Sequence, residues 1–488
     1  MSKTDDFHRQ QIKNKVESDT MNLARNRSLT WMMMASLLAT TAACSTSPLN
    51  VFSRDKSEEV EETPVADDGR VPVLALENRL EPDLELAAAI TLPPPYINAS
   101  WPQPGGDADH TMHHLDAELT LDRQWSKKVT NSSGRRAPLL APPVVADNRI
   151  FVIDSKAHVS AFETASGREV WSAELTPDLS APNRKWYEVM QRENPAEIGF
   201  GGGVAYDSGR IFATSGFGFV AALDAETGNT LWTYETETPV RTAPTATNGL
   251  VYVVTNSNEM LALNQETGEV EWDYQSFEET ARFLAATSPA ANAEIVIAPF
   301  SSGEIAALRA DNGQELWRET VSRSSRMTAL SNLSDIAGSP VIDRGTVFAV
   351  SHAGQMSAID LRSGRTIWEA PIAGLQTPWV AGDFIFVLSV ENELVSMSRE
   401  DGRVAWVQEL PRYKNEKRKR DRITWTGPII AGGQLVLTSS SGEVLLLDPK
   451  SGNTLSRSKL GNGSKISPVL ANQQLFILTE NGKLTAYQ

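Results

Sequence analysis

Val220-Ala221-Ala222-Leu223-Asp224-Ala225-Glu226-Thr227-Gly228-Asn229-Thr230-Leu231-Trp232 carries the pattern that decides the fold. It opens on a short apolar strand with a small residue in its third position. A Gly and, four residues later, a Trp follow. The strand recurs eight times, at Val159–Phe162, Val220–Leu223, Met260–Leu263, Ile305–Leu308, Met356–Ile359, Leu394–Met397, Val444–Leu447 and Leu484–Tyr487. Self-similarity at about 40 residues marks a solenoid or a propeller, because one such unit cannot bury its apolar face alone.

Working outward, a β-branched or aliphatic strand precedes every copy. Its start lies nine residues upstream in seven copies and ten in the Ile295 copy. That constancy predicts a tight hairpin, whose turn sets the pairing register. Further upstream a short segment opens with Pro143, Pro244, Pro289, Pro340, Pro378, Pro428 or Pro468, and the second repeat reads Gly-Gly-Val-Ala at 202–205 instead. Proline donates no ladder hydrogen bond and belongs at a strand start. Downstream come Gly167/Trp171, Gly228/Trp232, Gly268/Trp272, Gly313/Trp317, Gly364/Trp368 and Gly402/Trp406. The Gly suits a turn with positive φ, and the Trp gives a fourth strand a large apolar surface. The seventh repeat keeps Gly452 but has Ser456 in place of the Trp. Each unit is therefore expected to be a four-stranded antiparallel propeller blade, and the chain all-β.

The ends complete the count. The eighth repeat stops at Gln488 after its third strand, while Leu119–Trp125 is an orphan strand carrying a Trp. If Trp125 supplies the missing strand, N- and C-terminal segments close an eight-bladed ring and leave no long exposed edge.

The N-terminus reads as an address. Arg25 and Arg27 precede the apolar run Leu29–Ala43, which ends at Cys44, the only cysteine. Residues 1–43 are expected to be a signal peptide, with Met21 as an alternative start. Residues 44–98 then form an acidic, Pro-rich tether, with eleven acidic against four basic residues over 45–98 and a short helix expected near Leu84–Ile90. Residues 99–488 form the propeller. Thr41-Ala42-Ala43-Cys44 resembles a bacterial lipobox, with Thr41 where Leu is usual. The resemblance implies that Cys44 is diacylated, becomes the mature N-terminus and is then N-acylated; the alternative is an incidental Cys behind an ordinary cleavage site. Ser45 after the Cys implies, in such lipoproteins, export to the outer membrane.

Net charge of −16 argues against nucleic acid as a partner. No nucleotide-binding, hydrolase-elbow, zinc-protease or Ca²⁺-loop motif is present. Gly199-Phe-Gly-Gly-Gly203 precedes a strand rather than a helix and reads as a turn. His110, His113 and His114 read as a solvated approach to the propeller, not a metal site. No catalytic residue, metal ligand or cofactor is assigned.

The stretch Ala222–Trp232 resembles the quinoprotein repeat, Ala-x-Asp-x-x-Thr-Gly-x-x-x-Trp around an eight-bladed propeller. Two branches of that group compete. Many pyrroloquinoline-quinone alcohol dehydrogenases carry adjacent cysteines, and this chain has one Cys in all. Leu333–Ile342, His352–Gly364 and Gln376–Asp383, with the lipobox and the blade count, are similar to the non-enzymatic BamB family of outer-membrane assembly lipoproteins. The resemblance covers about residues 95–488. It implies a scaffold of the β-barrel assembly machinery on the periplasmic face of the outer membrane, present as a single copy within a complex with the insertase BamA. A propeller oxidoreductase or quinone-binding sensor, and another periplasmic envelope-binding propeller, remain the alternatives.

Repeat spacing locates a binding face. Third strands start 61, 40, 45, 51, 38, 50 and 40 residues apart, and the excess falls after Trp171, Trp317 and Trp406. These are all fourth-strand exits, which emerge on one face, and long loops on a rigid scaffold favour binding. In the BamB family the loops leaving the third and fourth Trp blades touch BamA. By resemblance the contact residues are Arg282, Phe283 and Leu284 in one loop and Asp335 in the next. Ala337 stands where the family's second Asp is usual; an Asx turn is the other reading of Asp335. Arg412–Arg422 holds seven basic residues at another exit, either as a solvated loop or as an electrostatic contact.

Overall fold

The computed structural model describes residues 80–130, 139, 141–177, 194–277, 287–321, 336 and 338–488. Eight four-stranded antiparallel sheets follow one another along the chain, with one small hairpin besides. Blade 1 comprises Val144–Ala146, Arg149–Ile153, His158–Glu163 and Glu169–Glu174. Blades 2 to 7 repeat that order at 204–235, 245–275, 290–320, 341–370, 379–409 and 425–459. Blade 8 takes Val469–Ala471, Gln474–Leu478 and Lys483–Tyr487 from the C-terminus, and its outer strand is Arg123–Lys128. There Trp125 faces Ala486 and Lys128 faces Lys483. The ring closes as the sequence predicts, with Trp125 in the outermost strand of the last blade.

Cross-strand chemistry explains the repeat. The small residue of the third strand lies between an aromatic on the second strand (Ile297 in blade 4) and the Trp on the fourth. Phe151, Ala161 and Trp171 align in blade 1, and Phe476, Ala486 and Trp125 in blade 8. With almost no side chain between them, the rings meet at centroid distances of 5.9 Å and 6.1 Å, a favourable tilted pairing. Blade 7 inverts the arrangement: Leu446 occupies the small position, and Ser456 faces it where the Trp would stand. The volume moves one strand inward.

Each Trp also locks its blade to the next. The Trp171 indole N–H donates to the Ala225 carbonyl of blade 2 at 3.1 Å, and its ring covers Gly228. Trp232, Trp272, Trp317, Trp368 and Trp406 repeat the bond to Gln265, Ala310, Leu361, Arg399 and Pro449. Trp125 links blade 8 to blade 1 through Thr164 at 2.8 Å. Blade 8 has no hairpin between its third and fourth strands, because these come from opposite ends of the chain. A Trp on blade 7 would have no such turn to cover, and Ser456 stands there.

First strands lie innermost and successive ones touch, as those of blades 1 to 5 do. Residues 98–115 run across them in ring order. Asn98 bonds Leu470 and Asn472 of blade 8. The Trp101 backbone pairs with Val145 of blade 1, Pro102 accepts from Tyr206 of blade 2, and Gln103 bonds Ala246 of blade 3. Ala108 then reaches Ala291 of blade 4, and Asp109 and Thr111 reach Ile342 of blade 5. His113 accepts from the Trp379 indole of blade 6, and Leu115 pairs with Ile430 and Gly432 of blade 7. The contacts lie at the first-strand ends that lead into the first hairpin turn, so this belt lines the face opposite the fourth-strand exits. Trp101 stacks on Trp379 at 6.1 Å, and Trp101, Met112 and Leu115 are buried.

The belt corrects the reading of the histidines as a solvated approach. His110 and His114 are buried, His110 Nδ1 donating to the Pro340 carbonyl at 2.7 Å and His114 Nδ1 to that of Pro93 at 2.7 Å. Polar composition misled because the belt satisfies its polar groups on blade backbones rather than on water. Upstream, Leu84–Ala88 forms the short helix, capped by Asp83, whose backbone N–H donates to Val404 of blade 6 at 2.8 Å.

Candidate partner-binding face

Fourth strands leave the ring on the face away from the belt, so the sequence-derived loops share one side. Cys44, Arg282, Phe283, Leu284, Asp335 and Ala337 lie outside the described residues. The stems of their loops are described.

The loop leaving blade 3 begins at Phe277, two residues past the strand Val270–Gln275. Asn258, in the turn between the second and third strands of blade 3, donates through Nδ2 to the Phe277 carbonyl at 2.5 Å. Its Oδ1 accepts from Ser301 of blade 4 at 3.0 Å. One side chain thus fixes the exit of one blade against a turn of the next. Where the two loops return, Ser288 N–H donates to Ser339 Oγ at 2.9 Å. Both belong to segments leading into first strands, of blades 4 and 5, so the loops leaving blades 3 and 4 end side by side.

Around this stem the surface is aromatic and charged. Phe277 is 67% exposed. The Arg318 guanidinium lies 5.5 Å from the Phe277 ring centre and 5.7 Å from that of Tyr274. It bonds the Tyr274 hydroxyl and, at 2.9 Å, Glu315. Tyr274 OH donates to Glu315 Oε2 at 2.5 Å and stacks on Phe300 at 6.0 Å. Burial and the bond to Glu315 push the Tyr274 hydroxyl up to about 12, and it stays protonated at neutral pH. The hydrogen bond from Tyr274, with that from Arg318, holds Glu315 below its usual range. The result is a pre-ordered cation over two aromatic faces with one ring open to solvent.

Phe277, Tyr274 and Arg318 were missed in the sequence. Phe277 carries a readable signal, an aromatic residue two positions past a fourth strand. Arg318 carries only its spacing from Glu315 on the same strand, because the two rings it covers come from blade 3. Gly202 precedes the strand Val204–Asp207 with φ +78°, placing the Gly199–Gly203 run in a loop-to-strand turn. Among the described residues, no group of three His, Cys, Asp or Glu could hold a metal ion.

A family model described as outer membrane protein assembly factor BamB matches residues 110–188 and 157–408, more than half of the chain. The protein of that name from Escherichia coli is 25% identical over 369 residues, 75% of this chain and 89% of its own. The crystal structure of BamB from Moraxella catarrhalis is similar with a TM-score of 0.61 and 20% identity, covering 76% of this chain and 100% of that one. A quinohemoprotein alcohol dehydrogenase from Comamonas testosteroni reaches 0.58 at 15% identity, covering 81% and 78%. Likenesses at these identities to solved structures are likenesses of fold.

Proposed function

The chain belongs to the outer membrane protein assembly factor BamB family, and from that membership we propose that it is a non-enzymatic scaffold of the outer-membrane β-barrel assembly machinery. In this reading Cys44 carries the lipid that holds it to the periplasmic face of the outer membrane. The loops leaving blades 3 and 4 bind a BamA-type insertase, and the protein aids insertion of outer-membrane proteins. The observation that carries the reading is the family match across the ring. The returning stems of two consecutive exit loops, joined by Ser288–Ser339, with the blade 3 exit held against a turn of blade 4 by Asn258, support the placement of the contact.

Arg282, Phe283, Leu284 and Asp335 are the proposed contact residues, and Phe277 precedes the first of them in the same loop. An aromatic anchor flanked by Arg and Asp is the mixture that interface hot spots favour. Asp335→Arg is expected to weaken insertase binding by about 2 kcal/mol or more, and Leu284→Ala to weaken it as well. Both should leave the melting temperature nearly unchanged, since exposed loop substitutions shift stability by about 0.5 kcal/mol or less. Affinity measured by titration calorimetry and unaltered in both variants would place the contact elsewhere on the ring.

A further inference from the structure

The exit of blade 6 carries the small hairpin outside the blades, Tyr413–Asn415 paired with Arg420–Arg422. We propose that this hairpin is an electrostatic docking surface for an anionic phospholipid membrane.

Its construction is rigid. At the base, Asn392 Nδ2 donates to the Ile423 carbonyl at 2.8 Å and the Pro411 carbonyl at 3.3 Å. The Trp425 indole N–H donates to Pro411 at 3.0 Å. Arg422 donates to the Val390 carbonyl at 2.7 Å, and Arg412 pairs with Glu393 at 3.3 Å and Glu391 at 3.7 Å. At the tip, Asn415 caps Arg418 N–H at 3.1 Å, while Glu416 folds back to accept from the backbones of Arg412 and Tyr413. Two of the seven cations serve as fasteners. Lys414, Lys417, Arg418, Lys419 and Arg420 are exposed, and among the described residues none of them has an ion-pair partner.

Shape and composition select the occupant. The cations stand on a hairpin outside the blades. Apart from the half-buried Tyr413, the hairpin shows no aromatic or aliphatic anchor of the kind a protein interface centres on. A layer of phospholipid phosphates asks only for a local density of positive charge. The chain as a whole carries −16, so a local cluster of positive charge orients the molecule toward such a layer. The hairpin lies between blades 6 and 7, on the same face as the proposed insertase contact but two to three blades away around the ring. Both surfaces are therefore open to use together. The inference rests on the membrane-facing location proposed above.

The test uses the mature chain, residues 44–488, with Cys44→Ala, purified, so that neither an acyl chain nor the apolar run Leu29–Ala43 contributes. Co-flotation is measured with phosphatidylcholine vesicles, with and without phosphatidylglycerol, at low and high salt. The protein is expected to float only with the anionic vesicles and to be released by salt. Lys414→Gln, Lys417→Gln, Arg418→Gln and Arg420→Gln together should weaken flotation about tenfold or more. Arg418→Lys with Arg420→Lys should float like the parent. Equal flotation on both vesicles, none on either, or an unaffected quadruple variant overturns the proposal. So does binding to poly-glutamate without binding to anionic vesicles, which would indicate an acidic protein partner. The assay contains no insertase, so its failure and a failure of the insertase reading are separable.

Discussion

Gly228 meets two demands at once. Its φ of +77° favours a residue without a Cβ, and a Cβ there would lie 2.6 Å from the Trp171 ring of the preceding blade. A left-handed backbone costs about 1–2 kcal/mol for other residues, and forcing the ring aside about 1–3 more. Gly228→Ala is therefore expected to destabilise the protein by roughly 2–5 kcal/mol, read from denaturant unfolding. A value near that of an ordinary surface substitution would show that the Trp contact contributes little. Asp107, in the belt, gives a pH-dependent counterpart. Burial, then the neighbouring Asp109, pushes its carboxyl up, while both carboxylates accept from Thr111 N–H at 2.8 Å and 3.0 Å. A carboxyl raised on folding contributes stability that is full below its unfolded pKa and is lost as pH rises through the folded one. Asp107→Asn keeps an acceptor for Thr111 and removes that loss. Melting temperatures followed upward from the ordinary carboxylate range should fall less steeply in the variant; parallel curves would mean that Asp107 is ionised throughout.

At the scale of the element, the outer strand Arg123–Lys128 has its partner almost at the far end of the chain. Removing residues 483–488 deletes that partner and leaves Gln474–Leu478 as an edge. Exposed edges of that kind pair with other chains. The truncated protein is expected to aggregate, visible by light scattering, whereas a soluble monomer would show that the ring tolerates an open blade. This closure was legible because Trp125 has the wrong neighbours for a loop and the right one for a fourth strand. Blade positions were legible for the same reason, each strand repeating a volume pattern. Two features were not. Leu446 and Ser456 each look like an isolated lapse from the motif, and only their cross-strand pairing reveals an exchange of volume between them. The belt has no period, because it meets each blade by a different means, through its backbone at Trp101, Pro102 and Leu115 and through side chains at Asn98, Gln103 and Thr111. Of the proposed contact surface, loop positions followed from spacing, while the Tyr274–Phe277–Arg318 cluster needed the placement of blade 4 beside blade 3.

At the scale of the molecule, the anchor and the ring are separate matters. Cys44→Ala is expected to release the protein from the outer-membrane fraction into the soluble periplasmic fraction in cells lacking the insertase partner, with unchanged far-ultraviolet circular dichroism. Retention in the membrane fraction would assign the attachment to something other than Cys44. The two-ended closure has a further consequence, for the order in which the molecule is completed. Synthesis delivers the belt and the strand Arg123–Lys128 first, yet the belt needs blades 1 to 8 and the strand needs Lys483–Tyr487, which emerge last. Asp122 and Gln488 finally exchange two backbone hydrogen bonds of 3.1 Å, joining the two ends of the ring. A chain interrupted before Lys483–Tyr487 leaves Arg123–Lys128 without its partner, so a paired Trp125 reports that the ring has closed.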